Sequence, residues 1–507
     1  MTSIVHAYTF FEHVLFRYPK TRAHYWVRSS FFITLFLIGI VHWVAFFNAG
    51  DLSLVAYDWV LEGAFLNTLR EAQTSGVIPW RWSEPFGSAL EALVDTHDTR
   101  NFLANPEVVL TPDIILLRWI PNSIFVITHV VLFYTAGFFG SIFIARKLNA
   151  SFVALLFFWL VFNFNGKLTA HLAVGHLPRA GYFLLPFFFI ILSRFVTEAQ
   201  SASSIGTTSV LGMGMLLGVL FLNGSFHEAV WCSMFMVIAL LWRWSMFLNV
   251  VTSVLVGSLI GLGRLLPAVL AFPQTERPFR SGYPSFGTAL DAFTSLRGHD
   301  FVRMGERFGD LGWWEYDIFV GFVAFIILVI AFTIAVKRSK VGRQMPLFAA
   351  GGVFLLLSFG NVHALIAKSP FPFAGIDRVS ASFIVIPFML FLITAMAGID
   401  ELFCTWPRNS RLAALIGVPF VAYELVLHSI YWRVDKLDSA FQQITEPVLS
   451  LAPNSDQVYA FSVYAGWSVS SISLLLVGAL LFRNRKALAH MMSGQMLNPA
   501  LHPPPVP

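Results

Sequence analysis

The chain has 507 residues, 57% of them hydrophobic and 12% charged, with a formal net charge of +5. Soluble domains carry about 25% charged residues, so an ordinary cytosolic enzyme is excluded, and with 53 phenylalanines the chain needs lipid as its solvent. The basic residues sit in short runs between apolar segments, a pattern of membrane topology rather than of nucleic-acid binding.

In chain order, residues 1–30 are mixed and basic, with no cleavable signal peptide expected, and read as a cytoplasmic or interfacial segment. A transmembrane domain is expected over 31–482. Its apolar runs lie near 31–48, 123–145, 151–164, 180–196, 208–222, 228–242, 246–270, 316–336, 345–366, 380–399, 411–430 and 460–482. At about 20 residues per crossing they predict an all-α polytopic membrane protein of about 12 transmembrane helices. No internal repeat is visible, and 483–507, ending in a proline-rich run, reads as a disordered cytoplasmic tail.

Charge supports a direction of insertion. With the N-terminus inside, the short inner connections hold Arg146 and Lys147, Arg194, Arg243, Lys337 with Arg338, Arg408 with Arg411, and Arg483 with Arg485, as the positive-inside rule requires. Both termini are then cytoplasmic. Under this topology most of the carboxylates fall on the outer side, in two large extracytoplasmic loops at about 49–122 and 271–315, and loops of that length are expected to carry the function. Cys232 falls in a span and Cys404 in an inner loop, so a disulfide framework and a cysteine-based metal site are not expected.

The first outer loop is the most informative stretch. It opens with Asn48-Ala49-Gly50-Asp51 and Tyr57-Asp58-Trp59, then repeats Leu61, Phe65, Leu66 and Leu69 at helical spacing, which predicts a helix lying on the membrane surface. Gly76-Val77-Ile78-Pro79-Trp80 follows, then Ala104-Asn105-Pro106-Glu107, and Pro112 before the second span. This succession resembles YfhO-like bacterial membrane proteins of the GT-C superfamily of polyprenyl-phosphate-dependent glycosyltransferases. Looser similarities are Ala170-His171-Leu172 with Gly175-His176, Leu265-Leu266-Pro267, and Asp377-Arg378-Val379 with Ser382-Phe383. Ser382 stands where the family usually has an arginine.

The resemblance implies a GT-C-like membrane glycosyltransferase in the bacterial inner (cytoplasmic) membrane, with its active site facing the periplasm or exterior. Its partners would be a polyprenyl-phosphate sugar donor, a lipid, glycan or protein acceptor, and membrane lipids. In such enzymes an acidic residue of the first outer loop is the catalytic base or helps bind a metal, which leaves a divalent cation open as cofactor. Carried to this chain, that residue is Asp58, then Asp51; helix capping is the alternative for both. The chemistry agrees: an acceptor hydroxyl must lose its proton to a carboxylate within hydrogen-bond reach, and one direct displacement inverts the sugar. Candidates to bind the phosphate and the rest of the substrate are Arg378, Arg264, Lys368, His176, Glu107 and Trp80. Arg264 stands out because an ionisable group inside an apolar run is usually functional, although it can also snorkel.

The outer histidines His171, His176, His227 and His299 match no compact metal-ligand spacing and read mainly as structural. Trp313 and Trp314 fit sugar stacking or an interfacial aromatic belt. Two other readings compete with the enzyme: a non-catalytic GT-C-like subunit of a membrane complex, and a lipid or solute transporter. A transporter should place ionisable groups near the bilayer midplane, where the candidates are Glu424, His129 and Arg264. No P-loop, zinc-protease or dinucleotide-binding motif is present.

Overall fold

A computed structural model describes residues 14–15, 21–51, 57–80, 82–83, 101–105, 107–200, 206–241, 246–271, 282–297, 301–303, 310–338, 344–367, 379–405, 408–434, 448–449 and 456–493. Helices dominate. The chain runs through α1 (Arg22–Phe46), α2 (Trp59–Ser75), α3 (Asn122–Leu148), α4 (Phe152–Phe164), α5 (Gly166–Ala173), α6 (Leu185–Gln200), α7 (Thr207–Leu222) and α8 (Phe226–Leu240). It continues with α9 (Phe247–Ile260), α10 (Leu262–Ala271), α11 (Phe286–Thr294), α12 (Phe322–Arg338), α13 (Met345–Leu357) and α14 (Gly360–Ala367). The last helices are α15 (Val385–Thr405), α16 (Arg408–Tyr431), α17 (Gln457–Arg483) and α18 (Arg485–Ser493). Two short antiparallel pairs of strands are present: Trp82–Ser83 with Val448–Leu449, which joins distant loops, and Phe301–Arg303 with Asp310–Gly312, within one connection.

Helix starts follow from local chemistry. Thr21, Ser151 and Asp456 each turn a side-chain oxygen onto a backbone N–H of the first turn of α1, α4 and α17. Asn165 ends α4 and in the same place caps α5, accepting from Leu168 N at 3.3 Å.

Among the described residues six segments are long and apolar enough to cross a membrane: Arg22–Phe46, Asn122–Leu148, Phe152–Ala173, Leu177–Val196, Ser380–Phe403 and Gln457–Arg483. The pair α9 and α10, bent by 82° at Gly261, makes a possible seventh. The chain is a helical membrane protein. The sequence reading anticipates about twelve spans; several of those segments are instead short apolar helices, including Thr207–Leu222, Phe226–Leu240 and Met345–Leu357. At 1.5 Å per residue, helices this short fall below the roughly 30 Å of a bilayer core. α7 and α9 pack backbone to backbone, because a side chain at Gly214 or Gly218 would run into Val256 or Ile260.

The two ends of the bundle have different contents. At one end Arg28 Nη2 donates to Ala150 O at 3.4 Å, Ser151 N donates to Asp400 Oδ2 at 2.8 Å, and Arg338 pairs with Glu401. The other end gathers the connections of α2, α5, α7, α10 and α17, where Leu110 N donates to Leu222 O, Asn223 to Pro178 O, and Tyr459 OH to Trp80 O.

Two sequence expectations change in detail. α2 is not a free surface helix: Trp59–Leu66, Thr68, Leu69 and Ala72 are buried, on every side of its first two turns. Its polar residues account for this, since Arg70 Nε and Nη2 donate to Leu117 O and Ile120 O at 3.0 and 2.7 Å. Gln73 reaches Ile114 O at 2.9 Å, so the polar face is stapled to the 3-10 segment Pro112–Arg118. Within the expected disordered tail, Arg485–Ser493 is helical as α18, and Ser209 Oγ donates to the buried Met491 sulfur at 3.6 Å. The proline-rich run lies outside the described residues.

Candidate functional site

Asp58 occupies the position before α2, yet its side chain makes no capping hydrogen bond to that helix. The carboxylate turns instead to the connection after α5, where His176 Nε2 lies 2.5 Å from Asp58 Oδ2. His176 Nδ1 in turn lies 2.6 Å from His171 Nδ1. The result is a continuous line of three titratable side chains, running from a carboxylate 45% exposed, through His176 at 23%, to a fully buried His171.

The backbone is built to hold that line. Asp58 N donates to Val174 O at 3.0 Å, the Trp59 indole donates to Ala173 O at 2.7 Å, and His176 N donates to His171 O at 3.0 Å. Gly175 makes the turn at φ +101°, a region that favours glycine, and a Cβ there would collide with the Asp58–Trp59 backbone. Lys167, Arg179 and the titratable His227 all lie within electrostatic range of His171, at the inner part of the line. Arg179 Nη1 pairs with the buried Glu228 at 2.7 Å and its guanidinium lies over the Trp231 ring, 5.3 Å from the centroid. Lys167 Nζ, almost fully buried, donates to Glu315 O at 3.1 Å and to Ser382 Oγ at 3.0 Å. The hydroxyl at 382 therefore meets a cation brought in from α5.

One turn along α2, Glu62 stands on the same face as Asp58 and is buried. Burial, then the nearby charges of Glu107 and Asp58, push its carboxyl well above the usual carboxylate range, against the opposing effect of Arg264. Arg264 opens α10 just past the 82° bend and is 1% exposed. Its Nη1 donates to Asn105 O at 2.7 Å, whereas Nε and Nη2 have no hydrogen-bond partner among the described residues. Beside this cluster a groove of about 420 Å³ is lined mainly by Ile78, Leu103, Val463, Tyr464 and Trp467, between the first loop and α17.

Beneath α5, Asp317 is sealed from solvent and packs on Gly166. Asp317 Oδ2 lies 3.0 Å from His428 Nε2 and accepts from the Trp432 indole at 3.2 Å, and Oδ1 accepts from Phe319 N at 2.9 Å. Glu424 accepts from Phe322 N and Val323 N at the start of α12.

The residues singled out in the sequence separate into groups. Asp58, His171 and His176 come together, with His227 close by. Arg264 and Glu107 join through Glu62. Trp80 is buried, edge-on to Tyr459 and Tyr464, and holds the loop rather than a surface for ligand. Asp51 is exposed beyond the turn Asn48–Gly50, and its recorded hydrogen bonds are backbone ones to Asn48. Trp313 is fully buried under Arg297, whereas Trp314 meets Tyr57 edge-on. Arg378, Lys368 and His299 lie outside the described residues. Glu62, Lys167 and Arg179 were missed by sequence reasoning; the spacing of 62 from 58 was the available signal for the first. Among the described residues no group of three His, Cys, Asp or Glu side chains is arranged to hold a metal ion. Compared with known proteins, the chain matches no family model, no curated protein and no solved structure.

Proposed function

We propose that this protein is a multi-pass enzyme of the bacterial cytoplasmic membrane that transfers a sugar from a polyprenyl-phosphate carrier to an acceptor hydroxyl on the extracytoplasmic side. The observation that carries the reading is the Asp58 carboxylate, withheld from capping α2 and aligned on His176. A carboxylate so held can take the acceptor's proton as the hydroxyl attacks the anomeric carbon. Lys167 supplies positive charge for the departing phosphate, together with Arg378 and Lys368 of the later loop. The groove beside Leu103 and Trp467 has the volume and apolar lining for part of a polyprenyl chain.

In this reading about twelve segments cross or enter the bilayer, both termini are cytoplasmic, and the end holding Arg28, Arg338 and Asp400 faces the cytoplasm. The GT-C resemblance of the first loop, which singled out Asp58, is consistent with this reading. Transport is less favoured because each intramembrane ionisable candidate is tied to an outer connection: Glu424 to Phe322 N, His129 to Asp113, and Arg264 to Asn105 O.

The test is release of polyprenyl phosphate from a panel of labelled polyprenyl-phosphate sugars by the purified protein in lipid nanodiscs. Asp58→Asn is expected to lower turnover by about 100-fold or more, the usual range for losing a general base. Turnover at the wild-type rate would remove Asp58 from the chemistry.

A further inference from the structure

We propose that His176 and His171 are positioning residues for Asp58, with the buried His171 setting the tautomer of His176 so that an N–H is always presented to one carboxylate oxygen. The proposal rests on the reading of Asp58 as the base.

Counting protons along the line gives the assignment. Between the two Nδ1 atoms, 2.6 Å apart, there is room for one hydrogen. An ionised Asp58 is acceptor-only, so the hydrogen in the 2.5 Å contact belongs to His176 Nε2. A neutral His176 must then accept at Nδ1, and the shared hydrogen belongs to His171 Nδ1. That leaves His171 Nε2 as a bare lone pair.

The surroundings of Nε2 fit this result. The atom is buried and has no hydrogen-bond partner among the described residues. A lone pair there strands no donor, whereas an N–H would be an orphaned buried donor, the rarer and costlier case. The opposite tautomer also reverses the line: His171 would accept at Nδ1, and His176 would become either a cation or an acceptor facing a protonated Asp58.

A proton entering at His171 Nε2 can be relayed along the line, the shared hydrogen passing to His176 Nδ1. Its addition converts the line to His171 Nε2–H with either an imidazolium at His176 or a carboxylic acid at Asp58, and both states lack a ready base. The charged and titratable groups facing the line are Lys167 on α5, Arg179 and His227, with Glu228 neutralising Arg179, and Glu62 on α2. The acidic limb of the rate profile then belongs to the three-group unit and not to Asp58 alone.

The test uses the whole protein in lipid bilayers. With ¹⁵N-labelled histidine, solid-state NMR at neutral pH is expected to show a neutral ring protonated at Nδ1 that disappears in His171→Asn, and a neutral ring protonated at Nε2 that disappears in His176→Gln. A His171 signal protonated at Nε2 overturns the proposal. In the transfer assay, His171→Asn keeps a side-chain N–H near the Nδ1 position and is expected to retain kcat within about threefold. His171→Phe removes the donor and is expected to lower kcat at least tenfold, with KM unchanged and the acidic limb displaced. Thermal unfolding of both variants serves as the folding control, and the NMR assignment stands without the Phe variant. Wild-type kcat and pH profile in a folded His171→Phe protein would discard the positioning role while leaving an inactive Asp58→Asn, and hence the base, intact. An unaffected Asp58→Asn enzyme removes the base and this proposal with it.

Discussion

At the scale of single residues, two carboxylates one turn apart on α2 meet opposite surroundings. Asp58 is half exposed and held by an imidazole; Glu62 is enclosed and pushed well above the usual carboxylate range, first by burial and then by Glu107 and Asp58. Pairs whose environments drive their protonation apart are a common route to separate acid and base roles. The sign of the pH effect follows. A folded state that keeps its proton beyond the point where the unfolded chain releases it has that stabilisation in full at pH below the ordinary carboxylate range. It loses it as pH rises through the folded value. Thermal unfolding of the wild-type protein is thus expected to show stability falling as pH is raised above that range. Glu62→Gln, which mimics the neutral acid, is expected to flatten this fall while costing little at acidic pH. An identical slope in the two proteins would mean that Glu62 ionises as freely in the fold as outside it. Little of this was legible in the sequence: 58 and 62 share a helical face, but the partner of Asp58 lies 118 residues away, and no local pattern announces such a pairing.

At the scale of elements, the outer connections are locked onto the helices by charge. The 3-10 segment Pro112–Arg118 sits at the top of α3, where His129 Nδ1 lies 2.6 Å from Asp113 Oδ2. Burial raises the Asp113 carboxyl, but its hydrogen bond to His129, the charge of that ring and the Thr111 hydroxyl outweigh burial, and the net position is below the usual aspartate range. Here the linkage runs opposite to that of Glu62. Stability is present above the unfolded aspartate range and is lost as pH falls through the lower folded value. Asp113→Asn is expected to remove this acid-side loss and to lower stability at neutral pH by about 1.5–3 kcal/mol, the range for a hydrogen bond to a charged group. Unfolding scans between strongly acidic and neutral pH check both; a variant retaining the wild-type acid-side loss would assign it to other groups. The sequence located α3 and Pro112 correctly as neighbours in order, since an apolar run and a proline are local signals. The clasp between them was not legible, because His129 read as an isolated mid-span histidine. The short helices α7, α8 and α13 read as spans in the sequence for a related reason: apolar content marks burial, burial against protein and burial in lipid have the same composition, and their length comes only from the structure.

At the scale of the whole molecule, the proposed orientation rests on which side chains gather at each end of the bundle. Arg28, Arg338, Asp400 and Glu401 meet at one end of the bundle, and the connections carrying Asp58, His176, Glu107 and Arg264 meet at the other. In the proposed orientation the basic connections are retained in the cytoplasm, which would put the Asp58 end outside. Single cysteines can read this directly. Ser75 at the end of α2 and Lys337 at the end of α12 are both exposed. The native Cys232 is buried, and the Cys404→Ser protein, carrying no introduced cysteine, supplies the background. A membrane-impermeant maleimide added to sealed cells is expected to label Ser75→Cys at once, and to label Lys337→Cys only after permeabilisation. The reverse pattern would put Asp58 and its histidines in the cytosol. Activated nucleotide sugars are soluble there, and the site would lose its reason for meeting a polyprenyl carrier. Labelling of both positions in sealed cells would instead require an even number of crossings between Ser75 and Lys337, which separates an error in span count from an error in direction.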